Sequence, residues 1–187
     1  MNKIVIFASG SGTNAERICR YFENHKNISV VQILSNKANA GVLRRAENLG
    51  VPSYVFTRSE FYETDSIVQR LKELETDLIV LAGFLWLIPP VMIKAFPGKI
   101  VNIHPALLPD YGGKGMYGMR VHEAVIAAKE KESGITIHFV NENYDEGQII
   151  FQARTGLSEG ESPQSLANKI HELEYKHFPV VIEELLD

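Results

Sequence analysis

The chain has 187 residues, of which 45% are hydrophobic and 22% charged, a composition typical of globular proteins and not of disordered or fibrous ones. Its 19 basic and 23 acidic residues give a net charge of -4, which does not indicate a surface for nucleic acid or anionic membranes. The single cysteine, Cys19, excludes an internal disulfide and a metal site built from several thiolates.

The chain begins with a strand pattern and not with a signal peptide. No run approaches the roughly 18 apolar residues that a membrane helix requires. We therefore expect a cytoplasmic protein with one domain over residues 1–187. Small molecules are the expected partners, with no nucleic acid and no membrane, and the protein is expected to be a monomer or a homodimer.

Strand and helix patterns alternate through the first half of the chain. Apolar runs predict strands at 3–8, 29–34, 53–56, 78–81 and 100–104. Helical patterns are present at 15–22, at 41–49 and from 57 to about 74. Thr57 and Glu60 form a capping box at the start of the third helix. This alternation is typical of a parallel sheet with helices on both faces.

The order of elements changes in the second half. A glycine-rich loop at 109–118 precedes a predicted helix at 121–128, and two strands follow at 134–140 and 148–155. The short connection between these strands predicts an antiparallel pair. The fold class is therefore predicted to be α/β and Rossmann-like, with a mostly parallel sheet, helices on both faces and an antiparallel strand pair in the C-terminal half.

The last predicted helix begins at Ser162 and Pro163, as N-cap and first helical residue. Its inward stripe is predicted to consist of Leu166, Ile170, Leu173 and His177. His171 and Glu174 share a face of this helix, three residues apart. By themselves they indicate a solvated polar surface.

A glycine-rich turn, SGSGTN at 9–14, joins the first strand to the first helix. With Ala15 it has the G-x-G-x-x-A spacing of dinucleotide sites. An NAD site also requires an acidic residue about twenty positions later, but the second strand ends in Ser35, Asn36 and Lys37. Lys37 leaves NADP as an alternative. We favour a phosphate cradle for a mononucleotide-sized substrate over a turn used only for packing.

The strand at 100–104 carries two polar side chains on one face. Residues two apart in a strand point to the same side, so Asn102 and His104 project together while Val101 and Ile103 project to the other side. Burial of these polar groups costs free energy unless they have partners. At the carboxyl end of a parallel strand they suit an oxyanion site, and a structural pair is the alternative.

Asp145 lies in the loop between the two C-terminal strands, before Glu146 and Gly147. Asp in such a loop is usually a turn former. If the loop folds over the central strand, however, Asp145 can pair with His104 and raise the pKa of that imidazole. Asn102, His104 and Asp145 make a poor metal site, since they offer one histidine and no cysteine. We therefore predict no metal.

The segment 83–90, GFLWLIPP, follows an apolar strand. It is either an ordinary buried connection or the wall of an apolar pocket for a flat heterocycle.

Taken in order, these motifs resemble those of the folate-dependent formyltransferase family over nearly the whole chain. The motifs are SGSGTN at 9–14, SNK at 35–37, LAGF at 81–84, NIHPALLP at 102–109 and the loop that contains Asp145. The NIHP run is specific to this family, and the glycine loop beside SNK points to its phosphoribosylglycinamide formyltransferase branch.

The resemblance implies formyl transfer from 10-formyltetrahydrofolate, as co-substrate, to the amine of 5-phosphoribosylglycinamide in de novo purine biosynthesis. The implied catalytic residues are Asn102, His104 and Asp145. The implied phosphate and ribose contacts are Gly12, Thr13, Asn14, His171 and Glu174. The implied folate contacts are Leu85, Trp86, Leu87, Ile88, Asn102, Asn141 and Tyr144.

In the implied mechanism, Asn102 and a protonated His104 stabilise an oxyanion, and Asp145 raises the His104 pKa. The chain departs from the family pattern at Trp86, where many members have arginine, so the residue that meets the folate tail is not identified. Three alternatives stay open: a sugar-nucleotide amine N-formyltransferase, an NADP-binding oxidoreductase, and a non-catalytic folate- or nucleotide-binding protein.

Overall fold

One sheet of seven strands runs through the protein, and the computed structural model describes all 187 residues. The strands are β1 (Asn2–Phe7), β2 (Ile28–Ser35), β3 (Ser53–Val55), β4 (Leu78–Leu81), β5 (Ile100–His104), β6 (Glu132–Phe139) and β7 (Ile149–Gly156). The helices are α1 (Thr13–Phe22), α2 (Gly41–Asn48), α3 (Arg58–Tyr62), α4 (Ser66–Glu73), α5 (Pro90–Ala95), α6 (Met119–Ala127) and α7 (Pro163–Leu186).

The strand order across the sheet is β3-β2-β1-β4-β5-β6-β7. Pairing is parallel from β3 to β5, and β6 is antiparallel to both β5 and β7. The predicted α/β, Rossmann-like class is therefore confirmed, including the antiparallel strands in the C-terminal half. The interpretation of residues 1–187 as one domain stays a prediction.

Side chains of β1 alternate between two hydrophobic cores on opposite faces of the sheet. Ile4 and Ile6 belong to a core that also contains residues of α1 and α7. Val5 and Phe7 belong to a second core, with residues of α4 and α5. All four side chains are fully buried. Because both faces are covered by helices, the strand is a continuous apolar run and does not alternate with polar residues.

The helix predicted from 57 to about 74 is wrong as a single element. The capping box of Thr57 and Glu60 is present, but it begins the five-residue helix α3, and α4 starts only at Ser66. The hydroxyls of Thr64 and Ser66 both donate to the backbone carbonyl of Glu60. Side chains that take up a helix carbonyl compete with continuation of the helix, which accounts for the break.

Two further corrections concern helices. The sequence pattern did not predict α5, which begins with Pro90 in its first turn. In α7, which Ser162 caps as predicted, Leu173 and His177 are only half-buried, whereas Glu174 and Phe178 are buried. The buried stripe therefore continues at four-residue spacing through Glu174. No helix has both the length and the apolar character needed to cross a membrane.

Candidate active site

A cavity of about 650 Å³ lies at the carboxyl ends of the central parallel strands. Segments that follow β1, β4 and β5 form much of its wall, together with the loop at 113–118, the β6–β7 loop and one face of α7. The carboxyl ends of parallel strands are where open α/β sheets bind ligands. The volume is in the range of small-molecule sites.

The turn after β1 is held by α2. Gly12 has a left-handed φ of 79°, and a Cβ at this position would lie 2.5 Å from the Val42 side chain. The Val42 N–H donates to the Gly10 carbonyl at 3.1 Å, and Arg45 Nε donates to the Ser11 carbonyl at 2.9 Å. These contacts fix the backbone before α1. No side chain caps the helix N-terminus, so its N–H groups are free to bind an anion.

Asn14 and Glu174 join this turn to α7. The Asn14 amide donates to the Glu174 carboxyl at 2.8 Å, and both residues line the cavity. Glu174 is 6% exposed, so the expectation of a solvated polar surface is wrong for this residue. Burial raises the pKa of Glu174 to about 7, and the hydrogen bond from Asn14 acts in the opposite direction. His171 is exposed and lines the same end.

His104 and Asp145 meet in the middle of the cavity wall. His104 Nδ1 lies 3.5 Å from Asp145 Oδ2, and His104 Nε2 donates to the Tyr111 carbonyl at 2.8 Å. Burial lowers the pKa of His104, while Asp145 and the Tyr111 carbonyl act to raise it. Asp145 raises the His104 pKa, as expected, but the lowering effect of burial is larger. The net pKa of His104 is below its ordinary value, which differs from the expectation of a resting imidazolium.

Asp145 has several partners at the same site. Burial acts to raise its pKa, but the neighbouring His138 and His104 and the Gly113 N–H more than offset burial, so the pKa of Asp145 is below its ordinary value. The Gly113 N–H donates to Asp145 Oδ2 at 2.9 Å. Asn102 Nδ2 lies 3.5 Å from Asp145 Oδ1. The structure thus brings Asn102, His104 and Asp145 together around one carboxylate.

The apolar end of the cavity is formed by residues after β4. Leu85, Trp86, Leu87 and Ile88 all line it, as does Tyr144 from the β6–β7 loop. The Trp86 ring also packs against an aromatic cluster, with ring centroids 5.6 Å from Phe61 and 5.7 Å from Tyr62. Asn141 is not among the lining residues, and its side-chain oxygen accepts the N–H of Asn143 within the loop. Its assignment as a folate contact therefore lacks geometric support.

Several cavity residues were not identified from the sequence. His138 lies beside Asn102. The sequence feature that could have identified it is the pair of polar residues Thr136 and His138, two apart on β6, which repeats the spacing of Asn102 and His104 on β5. His122 on α6 also lines the cavity, and burial lowers its pKa to about 4, with smaller effects from His171 and His104.

Three cationic side chains, those of Lys37, Lys114 and Arg120, also line the cavity. His, Cys, Asp and Glu side chains do not form a group of three or more suited to a metal ion.

Comparison with known protein families gives a match to the formyl transferase family over residues 2–182. A phosphoribosylglycinamide formyltransferase from Bacillus subtilis is 36% identical over 191 residues, which cover 100% of this chain and 95% of that protein. The crystal structure of a phosphoribosylglycinamide formyltransferase from Streptococcus pneumoniae superimposes with a TM-score of 0.88 at 36% identity and covers 100% of both chains.

Plant relatives are longer than this chain. The chloroplastic phosphoribosylglycinamide formyltransferase of Arabidopsis thaliana is 38% identical, over 96% of this chain and 64% of the relative. The corresponding protein of Vigna unguiculata is 37% identical, over 99% of this chain and 61% of the relative. The chain therefore spans less than two thirds of the length of these two relatives.

Proposed function

Because the chain belongs to the formyl transferase family, we propose that it transfers the formyl group of 10-formyltetrahydrofolate to the glycine amine of 5-phosphoribosylglycinamide, a step of de novo purine biosynthesis. The observation that carries this proposal is the convergence of Asn102, His104 and Asp145 in one cavity of a chain that is 36% identical to a phosphoribosylglycinamide formyltransferase over its whole length.

The uncapped end of α1 is the proposed phosphate site. Backbone N–H groups at a helix N-terminus and the helix dipole both favour an anion. Gly12, Thr13 and Asn14 line this end of the cavity, and so does the cationic Lys37. Glycine at position 12 lets the turn approach Val42 of α2 closely, and no side chain caps the N–H groups of the first turn. These features support binding of the phosphate by the backbone.

Glu174 and His171 are the proposed ribose contacts. The Asn14 amide engages one oxygen of the Glu174 carboxyl, and no other side chain or backbone group bonds to this carboxyl. A second oxygen is therefore available for a hydroxyl. The distance from the α1 N-terminus to Glu174 is spanned by Asn14 itself, so phosphate and ribose sites would be adjacent, as they are in a ribonucleotide.

Asn102 and His104 are the proposed oxyanion donors. The neutral amine attacks the formyl carbon, the carbonyl oxygen becomes an anion, and the bond to the folate nitrogen then breaks. The amine loses one proton and the leaving nitrogen gains one. Loss of a single oxyanion donor typically costs about 3 kcal/mol in the barrier. General acid–base transfer of the proton would add roughly 10²–10⁴-fold to the rate.

The His104 geometry sets a condition for this chemistry. In the structure the Nε2–H is already donated to the Tyr111 carbonyl, and Nδ1 faces Asp145. For Nε2–H to reach the oxyanion, it must leave Tyr111, which lies in the loop at 109–118. In the proposed reaction, His104 Nε2–H therefore exchanges its hydrogen bond to the Tyr111 carbonyl for one to the oxyanion. Asp145 would then stabilise the imidazolium as negative charge develops on the substrate, although burial opposes it in the free protein.

The apolar end is the proposed folate site. Reduced folate carries a flat heterocycle, and residues 85–88 with Tyr144 form an aliphatic and aromatic wall of suitable chemistry. A cytoplasmic location, a monomer or homodimer, and the absence of nucleic-acid or membrane partners stay predictions.

The proposed reaction is tested by mixing the purified chain with 5-phosphoribosylglycinamide and 10-formyltetrahydrofolate and following the release of tetrahydrofolate. Saturable release that requires both substrates is expected. Transfer to a sugar-nucleotide amine but not to 5-phosphoribosylglycinamide would replace the proposed acceptor. Titration with NADPH, monitored by its fluorescence, tests the oxidoreductase alternative. Binding of both substrates without any transfer would reduce the chain to a binding protein.

A further inference from the structure

His138 lies directly opposite Asn102, because β5 and β6 pair in a register that places these residues across from each other. The β6–β7 pairing is irregular between Ile137 and His138, where a change of register re-aims side chains. His138 is 2% exposed and lines the cavity. Its ring nitrogens therefore depend on protein partners and not on bulk water.

The tautomer of His138 follows from its two contacts. Nδ1 lies 2.8 Å from the Phe139 carbonyl, which can only accept, so Nδ1 carries the hydrogen. Nε2 lies 3.1 Å from Asn102 Nδ2, which can only donate, so Nε2 is unprotonated and accepts. The Asp145 carboxylate is farther from Nε2, at 3.6 Å. The closer amide contact selects the neutral imidazole with its hydrogen on Nδ1, whereas the lowering effect of His138 on the Asp145 pKa belongs to the protonated ring, whose Nε2–H would face the carboxylate.

This tautomer decides which way the Asn102 amide faces. One amide hydrogen is held by His138, and the second points toward Asp145 across 3.5 Å, a long contact that a better acceptor can displace. Without the acceptor at His138, rotation of the amide by about 180° would exchange its oxygen and nitrogen. An oxygen in that position would repel a developing oxyanion.

We propose that His138 is a positioning residue for formyl transfer: as the Nδ1–H tautomer it orients the Asn102 amide so that its second hydrogen is donated to the oxyanion. The catalytic consequence of this inference rests on the proposed function. The tautomer of His138 and the orientation of the Asn102 amide do not depend on that function. His138 itself need not touch either substrate. Its loss should therefore lower kcat and leave both KM values nearly unchanged.

The kinetic test uses His138→Leu, which removes the acceptor, and His138→Gln, whose side-chain oxygen can accept from Asn102. His25→Leu is the matched control, since His25 is a partly buried histidine paired with Glu183 on another part of the surface. We expect His138→Leu to lower kcat roughly tenfold to a hundredfold, with KM values within about twofold, and His138→Gln to recover part of the loss.

A double-mutant cycle with Asn102→Ala separates positioning from a general loss of structure. In the His138→Leu background, Asn102→Ala should cost far less than in the unmodified chain, because the oriented donor is already lost. Equal costs in the two backgrounds would overturn the proposal. Coupling to Asp145→Asn instead of to Asn102→Ala would also overturn it, since His138 would then act through the carboxylate.

A measurement without activity distinguishes failure of this inference from failure of the proposed function. Long-range ¹H–¹⁵N correlation spectra of the intact protein report which ring nitrogen of His138 carries the hydrogen. We expect a protonated Nδ1 and a bare Nε2, with the Asn102 side-chain amide resonances displaced in His138→Leu and not in His25→Leu. An Nε2–H tautomer would overturn the positioning role even if formyl transfer is observed.

Discussion

The side-chain amide of Asn14 donates to the carboxyl of Glu174 at 2.8 Å, across 160 positions in the sequence. This contact joins the first turn of α1 to the middle of α7 and closes one end of the cavity. The Glu174 carboxyl is buried and receives a hydrogen bond only from Asn14, which accounts for its raised pKa. The contact therefore links the proposed ribose site to the pH dependence of stability.

Glu174→Gln should change the pH dependence of folding. The Glu174 pKa is raised from 4.5 to about 7, so between these values the folded state holds a proton that the unfolded state has released. Stability from this group is present at low pH and lost as pH rises through about 7. As the pH rises from 4.5 to about 7, the free energy of unfolding of Glu174→Gln should increase by about 3 kcal/mol relative to that of the unmodified chain. Urea unfolding at a series of pH values measures the difference, and a difference independent of pH would contradict it.

Gly12→Ala should destabilise the chain, because a Cβ would lie 2.5 Å from Val42 and the φ of 79° is strained for alanine. We expect a loss of roughly 1–3 kcal/mol in thermal or urea unfolding, together with a higher KM for 5-phosphoribosylglycinamide. Gly10→Ala is the control, since a Cβ there meets nothing within 4 Å. If Gly10→Ala is equally destabilising, close packing against α2 is not the cause.

His104→Ala and Asn102→Ala should both lower kcat while the protein stays folded. The expected losses are roughly 10²–10⁴-fold for His104→Ala and roughly 10²–10³-fold for Asn102→Ala. Binding of 5-phosphoribosylglycinamide, measured by calorimetry, should change little, because the phosphate end lies elsewhere in the cavity. A near-normal kcat in either variant would remove that residue from the proposed oxyanion site.

Asp145→Asn should lower the pKa of His104 further. The free protein already has a His104 pKa below the ordinary 6.5, since burial outweighs the charge of Asp145. Without that negative charge, less of the lowering effect of burial on the His104 pKa is offset, so the imidazolium is destabilised. An NMR titration of the His104 ring should show the midpoint move to lower pH. A midpoint that rises or stays constant would mean that the carboxylate does not act on this ring.

Arg58→Gln should weaken binding of the formyl donor, 10-formyltetrahydrofolate, only when that molecule carries its anionic glutamate tail. The Arg58 guanidinium lies over the Tyr62 ring at 4.8 Å and the Trp86 ring at 5.7 Å, and no carboxylate pairs with it. Arg58 is exposed and lies beside Trp86, which lines the cavity, so its guanidinium is suited to the glutamate of folate. We expect KM for 10-formyltetrahydrofolate to rise roughly threefold to tenfold, with no change for a donor that lacks the glutamate.

Arg44→Gln is the control for this comparison, because Arg44 is exposed like Arg58 but does not stack on Tyr62 or Trp86. Equal KM changes for the two donors in Arg58→Gln would show that the guanidinium supports the aromatic cluster and does not meet the tail.

The sheet, its strand pattern and the shared face of Asn102 and His104 could be predicted because they depend on local periodicity. The break between α3 and α4 was missed because the Thr64 and Ser66 hydroxyls could equally face solvent in a continuous helix. Glu174 was assigned to a solvated surface because its buried partner, Asn14, is distant in the sequence.

By itself, the sequence determined which side chains alternate along each strand, where glycine permits the turn before α1, and which family motifs are present. Those are properties of a residue and its immediate neighbours. Only the tertiary structure decided that His138 faces Asn102, that the Tyr111 carbonyl holds His104, and that burial outweighs Asp145 in the His104 pKa. The physical reason is that strand register and desolvation arise from contacts between segments far apart in the chain.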